Sequence, residues 1–229
     1  IEAADKDIFG MLVNEGKQNI DDNMIKCSIT IVKGAYKILE QAIDQIQKWA
    51  EETGKFEAIA WDKMPEIYLY MDQVITYMDK QLKLFERNEN TRLLTSSMIN
   101  NYVKDNVLER PEQKKYSKEH LAMLTMICML KQVLSIQDIS QLLKSLTEHI
   151  SKTELYDQFR ITQAKVLEDI CSRVNQTAEK GKDALTKLAL ELSIEANARR
   201  TAAERILSEL AEEDTPKHNK KKEKAKMQD

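Results

Sequence analysis

The sequence predicts a mostly helical protein with one small β element, and three observations support this fold class. First, the 229 residues include only five Gly and three Pro, too few for the turns of a sheet-rich fold. Second, apolar residues recur at intervals of three or four along most of the chain, which is the period of an amphipathic helix. Third, 42% of the residues are hydrophobic and 32% are charged, as expected for a packed core surrounded by solvated helix faces.

Two amphipathic helices are predicted in the first part of the chain. The first extends from Met24 to Glu52 and is followed by Gly54, a residue type that commonly ends helices. The second extends from Glu66 to Phe85. The sequence leaves the role of residues 1–50 open.

A short helix and a compact hairpin are predicted next. The side-chain oxygens of an N-cap accept hydrogen bonds from free backbone N–H groups, and the candidates here are Thr95, Ser96 and Ser97. The helix is predicted over Met98 to Lys104, with Asn106 as its stop, because Asn tolerates the left-handed conformation. Val107 to Tyr116 is too short for another helix, so we expect a tight β-hairpin or extended wing there.

Four further helices are predicted towards the C-terminus. One covers Lys118 to Gln132, and one starts at Ser135, which forms a sequence like a capping box with Asp138. Two more follow Ser151, with Gly181 between them. From residue 215 the composition changes to a segment with six Lys, and this change predicts a disordered tail. Such a tail would add non-specific DNA affinity or serve only as a solubilising end.

Charge is unevenly distributed along the chain. The formal net charge is -3, which argues weakly against nucleic-acid binding. The segment from Arg92 to Lys131, however, contains seven basic and four acidic residues, so its formal charge is +3 and that of the remainder is -6. Local charge decides whether a surface can hold phosphate groups, so this segment is the candidate for nucleic-acid binding.

Several classes of function are not indicated by the sequence. Cys27, Cys128 and Cys171 are far apart and odd in number, which predicts neither a disulfide framework nor a zinc site. No stretch is apolar enough to cross a bilayer and no secretory signal is recognisable, so we expect a cytoplasmic protein in a reducing compartment. No P-loop, nucleophile elbow or HExxH motif is present, so we expect neither an enzyme nor a cofactor.

Residues 94–143 resemble the winged helix-turn-helix of the MerR family. The family pattern opens with a Thr and a short recognition helix, matched here by Thr95 and by INNY at residues 99–102. A wing ending in Tyr follows, matched by Tyr116, and LSIQDI at residues 134–139 matches the start of the last helix. The resemblance implies that the short helix enters the major groove of DNA while the wing contacts its backbone.

A second resemblance covers more of the chain. From about residue 64 to the C-terminal helices, the sequence is similar to a Gram-positive bacterial family described as domain of unknown function 1836. The segments PEIYLYMDQV at residues 65–74, MINNYVK at residues 98–104 and LKQVLSI at residues 130–136 carry this similarity. It implies a role in transcription regulation.

The candidate DNA contacts follow from side-chain chemistry and from the MerR resemblance. Asn can form a bidentate pair with adenine, Ser and Thr are permissive partners, and Lys and Arg contact phosphate. The resemblance adds tyrosines whose rings pack while a hydroxyl reaches a phosphate. The expected DNA-binding residues are Thr95, Ser96, Ser97, Asn100, Asn101, Tyr102, Lys104, Arg110, Lys114, Lys115 and Tyr116. In the alternative interpretation, Asn100 and Asn101 are ordinary surface residues and the lysine pair belongs to a solvated turn.

The sequence therefore predicts four regions and one principal function. Residues 1–57 form a helical extension, 58–150 the MerR-like domain, 151–214 a helical dimerisation or sensing module, and 215–229 the Lys-rich tail. We expect a homodimeric regulator that binds a near-palindromic operator in double-stranded DNA, and repression is favoured over activation. The expected effector is an unidentified small molecule or protein. The alternative is a helical protein–protein adaptor that keeps the fold without binding DNA. The near-neutral net charge favours it, and so does the replacement of the Arg and Tyr of the MerR pattern by Asn100 and Asn101.

Overall fold

The structure is a computed structural model that describes residues 22–86 and 92–214. Seven α-helices occupy most of these two ranges, so a mainly helical protein is confirmed. In chain order they are α1 (Asp22–Gly54), α2 (Met71–Leu82), α3 (Ser96–Lys104), α4 (Lys118–Leu130), α5 (Ile136–Thr147), α6 (Lys152–Ala178) and α7 (Lys182–Asp214). Short 3₁₀ turns at Trp61–Lys63 and Lys83–Phe85 lie before and after α2.

The predicted β wing is reduced to single bridges in the described part of the chain. One antiparallel bridge joins Leu69 to Tyr116, and a second joins Glu112 to Lys115 across a tight turn. Neither extends into a strand, so a β wing of the MerR kind is not confirmed.

The second predicted helix begins five residues later than expected. Residues 66–70 are extended because Leu69 exchanges two backbone hydrogen bonds with Tyr116, at 2.8 and 2.9 Å. Helix α2 then begins after Tyr70, whose backbone N–H donates to the Gln73 side chain at 2.9 Å. The apolar period of α2 is visible in the sequence, but the pairing that delays its start joins residues 47 positions apart.

Side-chain caps are present at the start of three helices, and the sequence predicted those at Thr95 and Ser135. The Thr95 hydroxyl accepts from the Met98 N–H at 3.3 Å and starts α3 two residues before the predicted position. Ser135 accepts from the Asp138 N–H at 3.1 Å, and Ser151 accepts from the Glu154 N–H at 3.2 Å. These bonds satisfy donors that every helix N-terminus leaves open.

The main core surrounds α4. All eight residues from Leu121 to Cys128 are buried, so this helix is apolar on every side. Helices α2, α3 and α5 pack around it, and the first turns of α6 complete the cluster through Leu155 and Tyr156. The Tyr156 hydroxyl donates to the backbone oxygen of Ile59 at 2.8 Å. One hydrophobic cluster thus extends across residue 150, where the sequence suggested a domain boundary.

A second, smaller cluster joins the three long helices. Ala50 of α1 and Leu188 of α7 pack against Cys171 and Val174 of α6. Arg173 on α6 also forms a two-pronged ion pair with Glu195 on α7, at 2.8 and 3.1 Å. Part of the apolar surface of residues 151–214 therefore has partners inside the same chain, whereas Val166, Leu190, Ile194, Ile206 and Leu210 are exposed. No helix within the described residues is long and apolar enough to cross a membrane.

Gly54 lies at a close approach of α1 and α6, and this contact leads to a first prediction. A Cβ atom at Gly54 would lie 3.0 Å from the Cys171 Cβ, so the neighbouring atoms would have to give by a few tenths of an ångström. We expect Gly54→Ala to lower the free energy of unfolding by about 1–3 kcal/mol through overpacking.

Gly34→Ala, on the same helix, is the matched control, because a Cβ at Gly34 would meet no atom within 4 Å. It should stabilise the protein by about 0.5–1 kcal/mol through the higher helix propensity of Ala. Urea unfolding followed by circular dichroism measures both variants. Equal effects from the two substitutions would contradict the proposed close contact.

Candidate nucleic-acid interface

Helix α3 presents one polar face to solvent and one apolar face to the core. Ile99 and Tyr102 are buried against α4, while the outward residues are exposed. Those outward residues are Ser96, Ser97, Asn100, Asn101 and Lys104. The spacing of three and four residues places them along one side of the helix, as the sequence predicted.

Both ends of α3 are fixed by local hydrogen bonds. Thr95 caps the N-terminus, and Asn106 follows the C-terminus with φ of 55°, in the left-handed region. The N–H groups of Asn106 and Val107 donate to the carbonyls of Val103 and Tyr102, at 3.3 and 2.9 Å, which is the Schellman arrangement. The polar face of α3 is therefore held in one orientation.

The loop before α3 is tied to the end of α4. The Lys131 ammonium donates to the backbone oxygen of Leu93 and lies 3.6 Å from the Met98 sulfur. This contact joins residues nearly forty positions apart, so neither periodicity nor motif could have indicated it. It gives Lys131 a structural role and removes it from the cations available to DNA.

A cleft of about 670 Å³ lies beside α3. Asn100, Lys104 and Arg110, which the sequence suggested, line the cleft together. Lys144 from α5 and Lys152 from α6 also line it, and sequence reasoning missed both because they follow the matched motif. Lys152 forms an ion pair with Glu109 across the edge of the cleft.

Lys114 and Lys115 lie on the tight turn between α3 and α4. Gln113 and Lys114 have φ of 48° and 63°, and the Lys115 N–H donates to the Glu112 carbonyl at 2.8 Å. Two central residues with positive φ define a type I′ turn, which matches the twist of hairpins. Lys114 is exposed at the tip, while the Lys115 ammonium lies 5.8 Å from the centre of the Tyr70 ring.

Tyr102 and Tyr116, expected as DNA contacts, have rings that pack in the core and are 5% and 3% exposed. Burial, and then the neighbouring Cys128, raise the pKa of Tyr102 to about 12. Tyr116 packs edge-on against the His120 ring, with 5.5 Å between ring centres. The two rings therefore support α3 and the turn from the core side, as the resemblance implied for tyrosine rings in this motif.

His120 links the turn to the start of α4. Its Nδ1 accepts from the Ser117 N–H at 3.0 Å, in the position that Glu or Gln takes in a capping box. Burial lowers the pKa of His120, although the charge and backbone oxygen of Glu109 act in the opposite direction. No group of three or more metal-ligating side chains is found among residues 22–86 and 92–214.

These features define a class of helical protein in which a short, doubly capped helix exposes a polar face beside a basic cleft. Residues 59–163 match the family model described as "Domain of unknown function (DUF1836)", which supports the family resemblance inferred from the sequence. The matched span begins at Ile59, whose carbonyl accepts the Tyr156 hydrogen bond, and ends in the middle of α6. It leaves out α1 and α7. No curated protein and no solved structure matches the chain.

The left-handed turn residues generate a second prediction. Gln113 and Lys114 have side chains that disfavour positive φ, whereas Asn-Gly is the preferred pair in type I′ turns. We expect the double substitution Gln113→Asn/Lys114→Gly to stabilise the protein by about 1 kcal/mol. Thermal unfolding measures the gain. Lys114→Gln, which removes the charge but keeps the strain, is the control and should give no comparable gain.

The buried imidazole generates a third prediction, on pH. Because the folded-state pKa of His120 lies below the ordinary value of 6.5, the unfolded chain binds the proton more readily than the folded one. The free energy of unfolding should therefore fall as the pH drops below about 6.5. His120→Gln keeps the capping acceptor and should flatten this part of the pH profile. The exposed His149→Gln variant is the control, and an identical flattening there would contradict the assignment.

Proposed function

We propose that the protein is a sequence-specific DNA-binding regulator of the MerR-like winged helix-turn-helix type, with α3 as its recognition helix. In this proposal it acts in the cytoplasm as a dimer and represses transcription from a near-palindromic operator. The observation that carries the proposal is the exposed row of Ser97, Asn100, Asn101 and Lys104 on a helix whose two ends are fixed.

The dimensions and chemistry of α3 suit the major groove. An α-helix with its side chains is about 10–12 Å across and fits a groove about 12 Å wide, and the nine residues of α3 extend about 13 Å along the helix axis. Asn100 and Asn101 can each form the bidentate amide pair with adenine, while Ser97 accepts or donates. The proposal therefore assigns sequence choice to the two asparagines.

Cations around α3 supply contacts of a different kind. Lys104 and Arg110 form no ion pair within the described residues, and Lys114 projects from the turn that takes the place of a wing. Lys144, on the far wall of the cleft, is likewise exposed. Such groups hold the DNA backbone and set affinity and position, without reading bases. The proposal adds Lys144 to the phosphate contacts.

One observation favours a second candidate, a protein–protein adaptor. Ile67, Tyr68 and Tyr70 stand side by side in the extended segment before α2 and are 70%, 61% and 52% exposed. Neighbouring exposed aromatic and aliphatic side chains are typical of protein interfaces. An Ile67→Ser/Tyr68→Ser variant tests whether this patch contributes to DNA binding. If the variant still binds DNA at low salt, the patch has a role separate from DNA binding.

The fourth prediction tests the proposed DNA contacts. DNA fragments bound by the purified protein are first selected from genomic DNA, including the region upstream of its own gene. We expect Asn100→Ala/Asn101→Ala to reduce discrimination between selected and scrambled sites by about ten-fold or more. Lys104→Gln/Arg110→Gln should weaken both sites alike and reduce the log–log salt slope by roughly 0.9 for each lost phosphate contact.

Asn197→Ala and Lys165→Gln, at exposed positions on α7 and α6, are the matched controls and should leave binding unchanged. Absence of any DNA binding by the wild-type chain at low salt would refute the proposed function. Retained discrimination in the double asparagine variant would remove α3 as the recognition element.

A further inference from the structure

Helix α1 carries two apolar stripes, of which only one is covered. The covered stripe faces α6 and consists of Leu39, Ile43, Gln47, Ala50 and Thr53, which are half-buried or buried. The other stripe is exposed along its whole length. Its members are Ile31, Ala35, Ile38, Ala42, Gln45 and Trp49.

The exposed stripe has the spacing of a coiled coil. Its six positions are separated alternately by four and three residues, which is the heptad period of helices that supercoil around each other. Ile31 and Ile38 are 68% and 69% exposed, and Trp49 is 48% exposed. Three of the six side chains are large and apolar, two are Ala and one is Gln45, so the row is a mainly apolar surface that a partner helix could cover.

We propose that a second copy of this chain covers the exposed stripe, with the two α1 helices antiparallel about a two-fold axis near residue 40. Paired in this way, Ile38 of one copy lies against Ala42 of the other, and Ile31 lies against Trp49. Each Ala layer receives a larger side chain, as close packing requires. A parallel pair would instead stack Ala35 on Ala35 and Ala42 on Ala42, leaving voids.

The charges of α1 favour the same arrangement. From residue 28 to 39 the only charged side chains are Lys33 and Lys37. From residue 41 to 52, Asp44, Glu51 and Glu52 outnumber Lys48, so this half carries -2. Antiparallel pairing sets the positive half of each helix beside the negative half of its partner, and at this register Lys37 and Asp44 lie nearly level. Parallel pairing would align like charges, which is unfavourable.

The interface is isologous, since each copy contributes the same surface. Residues 31–49 extend about 27 Å along the helix axis, enough for three coiled-coil layers on each side of the two-fold axis. The inference uses the proposed function only in treating the protein as a dimer, and it places the contact on α1 and not on the helices after residue 151.

The fifth prediction concerns the oligomeric state of the protein. It is measured first by sedimentation velocity of the full chain at micromolar concentration. The wild-type chain should be a dimer, and Ile38→Glu should weaken the dimer by at least about 100-fold, because a carboxylate would be buried against Ala42. Leu190→Glu, at a 63% exposed position of α7, is the control and should remain dimeric. Circular dichroism checks that each variant keeps its helix content.

Disulfide formation tests the orientation. In a Cys27→Ser background, Gln41→Cys lies beside the two-fold axis and should form an interchain disulfide on mild oxidation. Lys48→Cys lies on the same side of α1 but about 24 Å from its counterpart along the helix axis, and should form none. A monomeric wild-type chain, dissociation by Leu190→Glu, or any other cross-linking pattern overturns the inference. No DNA is used, so loss of the proposed DNA binding would leave these results intact.

Discussion

The burial of α4 on every side is the constraint on which the rest of the structure depends. A helix with no polar face must be enclosed, and α2, α3, α5 and the start of α6 enclose it. Tyr156, fully buried, closes the enclosure with its hydrogen bond to Ile59, so the two ends of the family-matched span meet. The neighbouring Thr125 hydroxyl donates to the Leu121 carbonyl of the same helix, at 2.9 Å, and lies 3.9 Å from the Met78 sulfur of α2, so this polar side chain has its partners inside the core.

This enclosure is what gives α3 a defined outward face. Ile99 and Tyr102 attach its inner side to the core, Thr95 and Asn106 fix its two ends, and Lys131 ties down the loop before it. A polar row on such a support loses little conformational freedom on binding a ligand, which is the condition for specific recognition. An isolated nine-residue helix would be marginal in water, so the site exists only through its packing.

Local signals in the sequence predicted much of this arrangement. The caps at Thr95 and Ser135 and the left-handed Asn106 follow from short-range chemistry, and the polar row of α3 follows from its period. Long-range contacts account for the differences. The delayed start of α2 depends on Leu69 meeting Tyr116, and the position of Lys144 beside α3 depends on how α5 docks. The packing of the Tyr102 ring could be expected from the resemblance, but its position beside Cys128 depends on how α3 docks against α4.

Helix α1, with 33 residues, lies outside the family-matched span and carries two stripes of different fate. One stripe holds α6, and Gly54 lies close to Cys171 in that contact. The other stripe faces away from α6 and is exposed. The proposed two-fold contact on that side would join two cores through helices that lie far from α3 in the sequence. The proposed pairing and the proposed recognition would then rest on different side chains, so each could be altered without disturbing the other.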